Sequence, residues 1–237
     1  MEERRKNRPR SILLMLLAMG AALGTIVLGW RLAERQYYVV SLLLIVYFMV
    51  PFFLMFEHRR PQARELVVIA VLSAIAVVSR VLFIWAPNFK PLIAIVIITA
   101  VAFGPESGFL TGALAAFVSN FIFGQGAWTP WQMFAYGLAG FLAGVLYQAG
   151  LLSKKRWPLT IFGFIVTFAV VGPVLDTCAI FLQPLSTDWD AMKLIYLSGI
   201  PVNLVHASCV ALTLLLFSGP MFEKLDRIKD KYGMMEG

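Results

Sequence analysis

Apolar runs, each long enough to cross a lipid bilayer or nearly so, recur along this chain and restrict it to very few folds. A membrane-spanning helix needs roughly 20 apolar residues, whereas a barrel strand would show a two-residue alternation that these runs lack. Only 14% of the 237 residues are charged and 60% are hydrophobic, against roughly a quarter charged in a soluble domain. The sequence therefore predicts an all-α polytopic membrane protein.

Proline, glycine and charge clusters divide the chain into eight candidate helices. They are predicted at residues 11–30, 38–56, 64–86, 91–103, 108–123, 131–150, 158–182 and 192–218. The first two would form an N-terminal hairpin within residues 1–60, and the next six a core within residues 61–220. Residues 221–237 are predicted as a cytoplasmic tail, into which the last helix could extend on opposite charges three and four residues apart.

The basic residues predict the orientation of the chain. With the N-terminus inside, fifteen of the twenty lysines and arginines fall in cytoplasmic segments and four on the outer side, while Arg80 lies within a helix. This bias predicts a multi-pass protein of the cell membrane with both termini in the cytoplasm. The net charge of +7 is thereby attributed to topology, and no nucleic acid is expected as a partner.

Polar side chains within the predicted helices converge on the outer half of the bundle, beneath loops rich in aromatic residues. Ionisable groups are costly in hydrocarbon, so those that occur there usually face a bundle interior or a wet cavity. An apolar pocket with a few oriented polar groups is the usual form of a small-molecule site. The residues predicted to bind a ligand are Arg80, Asn88, Phe89, Lys90, Asn120, Phe123, Gln125, Trp128, Trp131, Gln132, Tyr136, Asp176, Asn203 and His206.

Structural explanations stand beside this prediction. Tryptophan and tyrosine concentrate at membrane interfaces in any case. Arg80 and Asp176 could pair with each other and lock two helices, and His206 could be a hydrogen-bonded core histidine. The loop Phe123–Trp131, predicted as non-helical because of its glycines and proline, favours a lid over a pocket, since an interfacial belt needs no such loop.

Small residues at four-residue spacing predict close helix packing. Gly108, Gly112 and Ala116 would pack against Gly140 and Gly144. A second pattern, Ala70 and Ala74, is open to two interpretations: internal packing or a docking face for a partner. Cys178 and Cys209 are predicted as small core residues.

Motifs for catalysis are missing from the sequence. It contains no GxxxxGK[ST] phosphate loop and no HExxH zinc motif, so it is not predicted to hydrolyse ATP with such a loop or to hold catalytic zinc. The intramembrane Ser198-Gly199 lacks the Gly-x-Ser-Gly of a rhomboid-type protease. No catalytic residue and no metal ligand is proposed.

One long run carries a family resemblance. It comprises GPESGFLTGAL from Gly104, SNFIFGQGAWTPWQM from Ser119 and GLAGFLAG ending at Gly144. This run resembles the substrate-binding S component of energy-coupling factor (ECF) vitamin transporters, over about residues 64–218. The resemblance implies a transport subunit that captures a vitamin outside the cell and carries no catalytic cofactor.

The same resemblance implies partners and a ligand. The partners would be an energy-coupling transmembrane subunit, met through Ala70 and Ala74, and two cytoplasmic ATPases. The Trp-Thr-Pro-Trp-Gln-Met form most resembles the cobalamin-type members, while riboflavin or a queuosine precursor remain alternatives. The N-terminal hairpin departs from the family pattern.

Two other classes of function remain open at this point. The small-residue faces would also suit a membrane scaffold or assembly protein. Arg80, Asp176 and His206 could instead serve as an ion relay in a secondary transporter.

Overall fold

A computed structural model describes residues 63–182 and 189–233, together with the single helical residue Tyr47. The helices are α1 (Ala63–Leu82), α2 (Leu92–Phe103), α3 (Pro105–Phe123), α4 (Thr129–Gln148), α5 (Arg156–Val166), α6 (Gly172–Phe181) and α7 (Trp189–Tyr232). A π-helical segment, Thr167–Val171, joins α5 to α6 without a break. This part of the chain contains helices and turns and no strand.

The all-helical prediction is confirmed for these residues, and the predicted bounds hold to within a few residues at most ends. Four helices are long and apolar enough to cross a membrane: Ala63–Leu82, Pro105–Phe123, Arg156–Phe181 and Trp189–Tyr232. The count of six membrane-spanning core helices stays a prediction, as does the orientation of the termini. The predicted hairpin within residues 1–60 lies outside the described residues.

Two boundaries differ instructively from the prediction. The loop predicted at Phe123–Trp131 shrinks to five residues, 124–128, because α3 continues through Phe123 and α4 begins at Thr129. Pro130 stands in the first turn of α4, where a missing N–H costs no hydrogen bond. At the other end of the chain α7 runs to Tyr232, which confirms the predicted extension into the tail.

Helix α2 is the centre of the bundle, since all twelve of its residues are buried. Its sequence, LIAIVIITAVAF, is apolar on every side, as expected for a helix with neighbours all round. A single residue, Gly104, separates it from α3. The φ of Gly104 is 99°, a value that a residue with a side chain rarely adopts, so the glycine allows an abrupt change of direction.

Helices α3 and α4 pack along the small residues predicted to join them. A Cβ atom added to Gly112 would lie 2.6 Å from the carbonyl carbon of Tyr136, and one added to Gly140 would lie 2.7 Å from that of Gly108. Gly144 meets the backbone of Pro105 in the same way, at 2.5 Å. The two backbones are thus in direct contact, and this seam runs the length of the pair.

The helix ends divide the bundle into two ends. We call the site end the one that holds the turns at 83–91 and 124–128, the end of α6 and the start of α7. We call the basic end the opposite one, where Arg64 donates to the carbonyl of Tyr232 (2.9 Å) and Lys154 pairs with Asp226 (2.8 Å). Lys229 also donates there to the carbonyl oxygen of Ala102. The basic end is therefore tied together by the last turns of α7.

Candidate functional site

Arg80, on the last turn of α1, is the most deeply buried cation of the site end, with 3% of its surface exposed. Its Nη1 donates to Ser119 Oγ (2.5 Å) and to Asn120 Oδ1 (2.9 Å) at the end of α3. Its Nε is buried and has no hydrogen-bond partner among the described residues. Because both acceptors are neutral, these bonds hold the guanidinium in place without neutralising it.

Asn120 extends this network to α4 and the turn before it. Its Nδ2 donates to Thr129 Oγ1 (3.0 Å) and to Gln132 Oε1 (2.9 Å). Thr129 Oγ1 in turn donates to Gln125 Oε1 (2.9 Å) and accepts from the Gly126 N–H (3.2 Å). The turn is therefore fixed to the helices through side chains, and α1, α3 and α4 share one polar network.

Phe123 lies between two cations. The guanidinium carbon of Arg80 is 4.4 Å from the centre of its ring, and Lys90 Nζ is 5.9 Å from it. Burial, and secondarily the charge of Arg80, lower the pKa of Lys90 from its ordinary value. A cation over a ring is worth about 0.5–2 kcal/mol, which offsets the cost of burying these charges only in part.

His206 brings α7 to the same group. It is 8% exposed, its Nε2 has no hydrogen-bond partner within the described part of the chain, and its ring meets that of Tyr136 edge-on at 6.2 Å. The backbone of Lys90 lies within hydrogen-bond reach of His206, and the charges of Lys90 and Arg80 both act on it. Arg80, Lys90 and His206 therefore form one cluster, which we call the cationic cluster.

Asp176 does not pair with Arg80, so the interpretation that these two residues lock their helices together by an ion pair is wrong. Its Oδ2 accepts instead from Asn203 Nδ2 (2.8 Å), which joins α6 to α7. Close backbone approach makes this possible: a Cβ on Gly199 would lie 2.5 Å from Asp176 Oδ1, and one on Gly172 would lie 2.5 Å from Asn203 Cγ. The carboxylate is thus held by a neutral amide, on the helix pair next to the cationic cluster.

The predicted aromatic residues fall into two groups. Trp131 is buried and stacks on Phe181 with ring centres 5.6 Å apart, which connects α4 with α6. Trp128 is exposed, and its ring covers the backbone of Gly126. In the turn after α1, Phe89 packs on Phe83 at 4.8 Å. Asn88, beside it, shapes this turn through a left-handed φ of 62°.

The structure thus joins most of the predicted residues through contacts, but an outward-open pocket among them stays a prediction. Sequence reasoning missed Ser119, Thr129, Phe181 and Gly199. Ser119 and Thr129 lie inside the quoted SNFIFGQGAWTPWQ run, and the polar character of both was a usable signal. Nothing in the sequence could connect Gly199 with Asp176, because 23 positions separate them and only helix packing brings them together.

Ala70 and Ala74, the residues predicted to dock a partner, are both exposed on α1. They lie on a face with the exposed side chains of Val67, Val71 and Val78. Internal packing within the described residues is therefore not their role.

A metal site finds no support in the described ranges, where no group of three or more histidine, cysteine, aspartate or glutamate residues is placed to hold an ion. Cys178 and Cys209 are free and buried, as predicted for small core residues.

The fold and the site define a class: a polytopic helical membrane protein with a polar, partly cationic site buried among its helices. A family-level sequence model described as "ECF-type riboflavin transporter, S component" matches residues 61–221, about two thirds of the chain. The chain belongs to this family of ECF S components. The family is one of transport subunits and not of enzymes, which agrees with the predicted class.

Curated relatives extend the comparison. The chain is 28% identical over 121 residues to a UPF0397 protein of Vibrio atlanticus, a match that covers 48% of this chain and 66% of the relative. It is 29% identical over 126 residues to a UPF0397 protein of Aliivibrio salmonicida, with the same coverage. The matches thus span just under two thirds of the relatives' length. No solved structure matches the chain.

Proposed function

We propose that this chain captures a vitamin outside the cell and delivers it to an energy-coupling factor complex for ATP-driven uptake. The observation that carries the proposal is the buried polar network centred on Arg80. Two residues of α3 bond this arginine directly, and side chains of α4 and of the turn hold Asn120 in place, yet the Arg80 Nε has no partner among the described residues. A buried donor without a partner costs about 1–3 kcal/mol, and a bound ligand would recover that cost.

The energy source would lie on other chains. The sequence has no GxxxxGK[ST] phosphate loop, and the S component family supports a coupling subunit and two ATPases as partners. The exposed face of α1 around Ala70 and Ala74 is our candidate for the contact with the coupling subunit. Small side chains there would let a partner helix approach closely.

The identity of the vitamin is a separate part of the proposal. The family description supports riboflavin as the first ligand to test, and it gives no support to the cobalamin-type resemblance of the Trp-Thr-Pro-Trp-Gln-Met segment. Cobalamin and a queuosine precursor follow as the next candidates. Phe123, Trp131 and Tyr136 would offer flat walls to any of these ring systems.

The direct test is ligand binding by the purified chain alone, without ATP or partners. Quenching of tryptophan fluorescence is recorded against riboflavin, cobalamin, biotin, folate, thiamine and a queuosine precursor. Saturable binding of one of these vitamins is expected, and Arg80→Gln should bind it about 100-fold more weakly. Failure of every vitamin to bind would reject the proposal.

A second experiment separates capture from coupling. Ala70→Leu with Ala74→Leu should leave the dissociation constant unchanged and abolish uptake in cells that contain the coupling complex. Val71→Leu, on the same exposed face of α1 but with less added bulk, is the matched control. Uptake that survives the double substitution would remove α1 as the docking face, and uptake that persists without any ATPase would favour a secondary transporter.

A further inference from the structure

Three nitrogen groups of the site end converge, and the residues that the structure describes supply no carboxylate bonded to any of them. Arg80 is bonded to a hydroxyl and an amide, Lys90 lies over the Phe123 ring, and His206 lies beside the Lys90 backbone. The ion pairs that the structure shows in its described ranges are Lys154 with Asp226 and Lys193 with Asp190. Neither pair includes a member of the cationic cluster.

This arrangement lowers the stability of the protein when no anion is bound. Two like charges approach each other in a buried setting, where effective dielectric constants are low and their repulsion is strong. Buried charges in proteins are normally paired, and the nearby carboxylate of Asp176 is already held by Asn203. In the described part of the chain the cluster therefore has an excess of positive charge. Two of its nitrogen atoms, Arg80 Nε and His206 Nε2, have no hydrogen-bond partner there.

Resting on the vitamin-capture function proposed above, we infer that the cationic cluster binds an anionic group of the carried molecule, a carboxylate or a phosphate. Charge-assisted hydrogen bonds from an arginine are among the strongest in proteins, and its planar fork fits both kinds of anion. The neighbouring Phe123 and Tyr136 would hold the apolar part of the same molecule. The cluster would therefore favour an anionic member of a vitamin class, such as flavin mononucleotide, over a neutral one such as riboflavin.

The lowered pKa of Lys90 agrees with this assignment. An anion placed between Lys90 and Arg80 would oppose both the desolvation and the repulsion that lower it. Ligand binding should therefore be accompanied by stronger protonation of Lys90, in the direction that linkage requires.

The test uses pairs of ligands that differ chiefly in an anionic group. They are flavin mononucleotide with riboflavin, biotin with biotinamide, and pantothenate with panthenol. Affinities are measured for the full chain in dodecyl maltoside, a detergent without phosphate. In the pair that binds, we expect the anionic member to bind about tenfold or more tightly than the neutral one, as a hydrogen bond to a charged group allows.

Substitutions then test whether the cluster causes the preference for the anionic ligand. Lys90→Gln, which changes a residue of a turn, should reduce this preference to about twofold. Arg80→Lys should weaken the preference although it keeps the charge. Lys193→Gln removes an exposed cation at the same end and should leave it intact. The inference is overturned if the neutral member binds equally well, or if the preference survives both Lys90→Gln and Arg80→Gln.

Two further arms complete the design. Added phosphatidylglycerol should not abolish the preference; if it does, a lipid headgroup is the occupant and the assignment to the carried molecule is wrong. If no pair binds and every vitamin of the binding screen fails as well, the vitamin-capture proposal is rejected, and stabilisation by sulfate then tests the anion site separately. At constant ionic strength sulfate should then raise the Tm of the parent by roughly 3 °C but not that of Lys90→Gln, and equal behaviour of the two would overturn it.

Discussion

The two ends of the bundle differ in how their cations are bound. At the basic end Lys154 meets the carboxylate of Asp226, while Lys229 and Arg64 donate to backbone carbonyls at the ends of α2 and α7. At the site end Arg80 and Lys90 are more deeply placed, and among the described residues the structure shows them in contact with neutral groups and an aromatic ring. Within the described residues Lys154 thus has a carboxylate partner at the basic end, whereas Arg80 and Lys90 form no ion pair at the site end.

This contrast distinguishes cations that stabilise the fold from cations that, in our proposal, bind a ligand. Pairing at a half-exposed surface contributes little and ties segments together. A buried cation without a counter-charge destabilises the protein, and binding of an anion would recover part of that loss. The predictions below test this contrast, beginning with the largest effect.

Gly112→Val should disturb both ends together, since Gly112 lies on the seam between α3 and α4. The new side chain would overlap the backbone of Tyr136, which cannot move without shifting α4. We expect a loss of about 3 kcal/mol and a Tm lower by roughly 10 °C, measured by thermal unfolding in detergent. Gly219→Ala is the control, because its Cβ would meet only the flexible end of Arg156 at 3.1 Å; equal losses for both would contradict the seam.

Arg80→Gln should separate binding from stability. The substitution removes the charged donor, so ligand affinity should fall by about 100-fold. The Tm should change far less than in Gly112→Val, because a destabilising charge is removed along with its hydrogen bonds. Titration and thermal unfolding of the same preparation measure both. A large drop in Tm with unchanged affinity would make Arg80 a structural residue like those of the basic end.

Lys90 should give the site end a pH dependence of its own. Folding lowers the pKa of Lys90 below its ordinary value of about 10.5. Between these two pKa values the unfolded chain binds more protons than the folded chain. The free energy of unfolding therefore rises with pH in this window. Thermal unfolding without ligand between pH 8 and 10.5 should show a small rise that Lys90→Gln lacks. An identical pH profile for the variant would show that Lys90 is not perturbed.

Asp226→Asn should have the smallest effect. It breaks the pair with Lys154, whose side chains are 35% and 44% exposed, and pairs of this kind are worth under about 1 kcal/mol. Ligand affinity should stay unchanged, since the pair lies at the opposite end of the bundle. A binding defect in this variant would mean that the two ends are coupled.

Much of the site could be predicted because its residues break the apolar pattern. Arg80, Asp176 and His206 stand out within hydrophobic helices, and Asn120, Gln125 and Gln132 crowd around one turn. Their partners could not be predicted equally well. The pairing of Arg80 with Asp176 was as plausible from depth alone as the observed pairs, because depth along a helix says nothing about which face the residue is on.

The loop between α3 and α4 shows a second limit. Its glycines and proline predicted nine non-helical residues, but a proline in the first turn of a helix is compatible with that helix, so the actual break is five residues long. The predicted packing of α3 on α4 is confirmed in detail, since small residues four apart leave room for few alternatives.

The sequence alone determined that this chain is a membrane helical bundle, which helices approach closely, and which polar residues need an explanation. It could do so because hydrophobic length and residue size act locally. The tertiary structure decided which polar groups became partners and which cations, within the described ranges, form no ion pair with a carboxylate. Those outcomes depend on how each helix is rotated against its neighbours, and the rotation is set by the packing of the whole bundle.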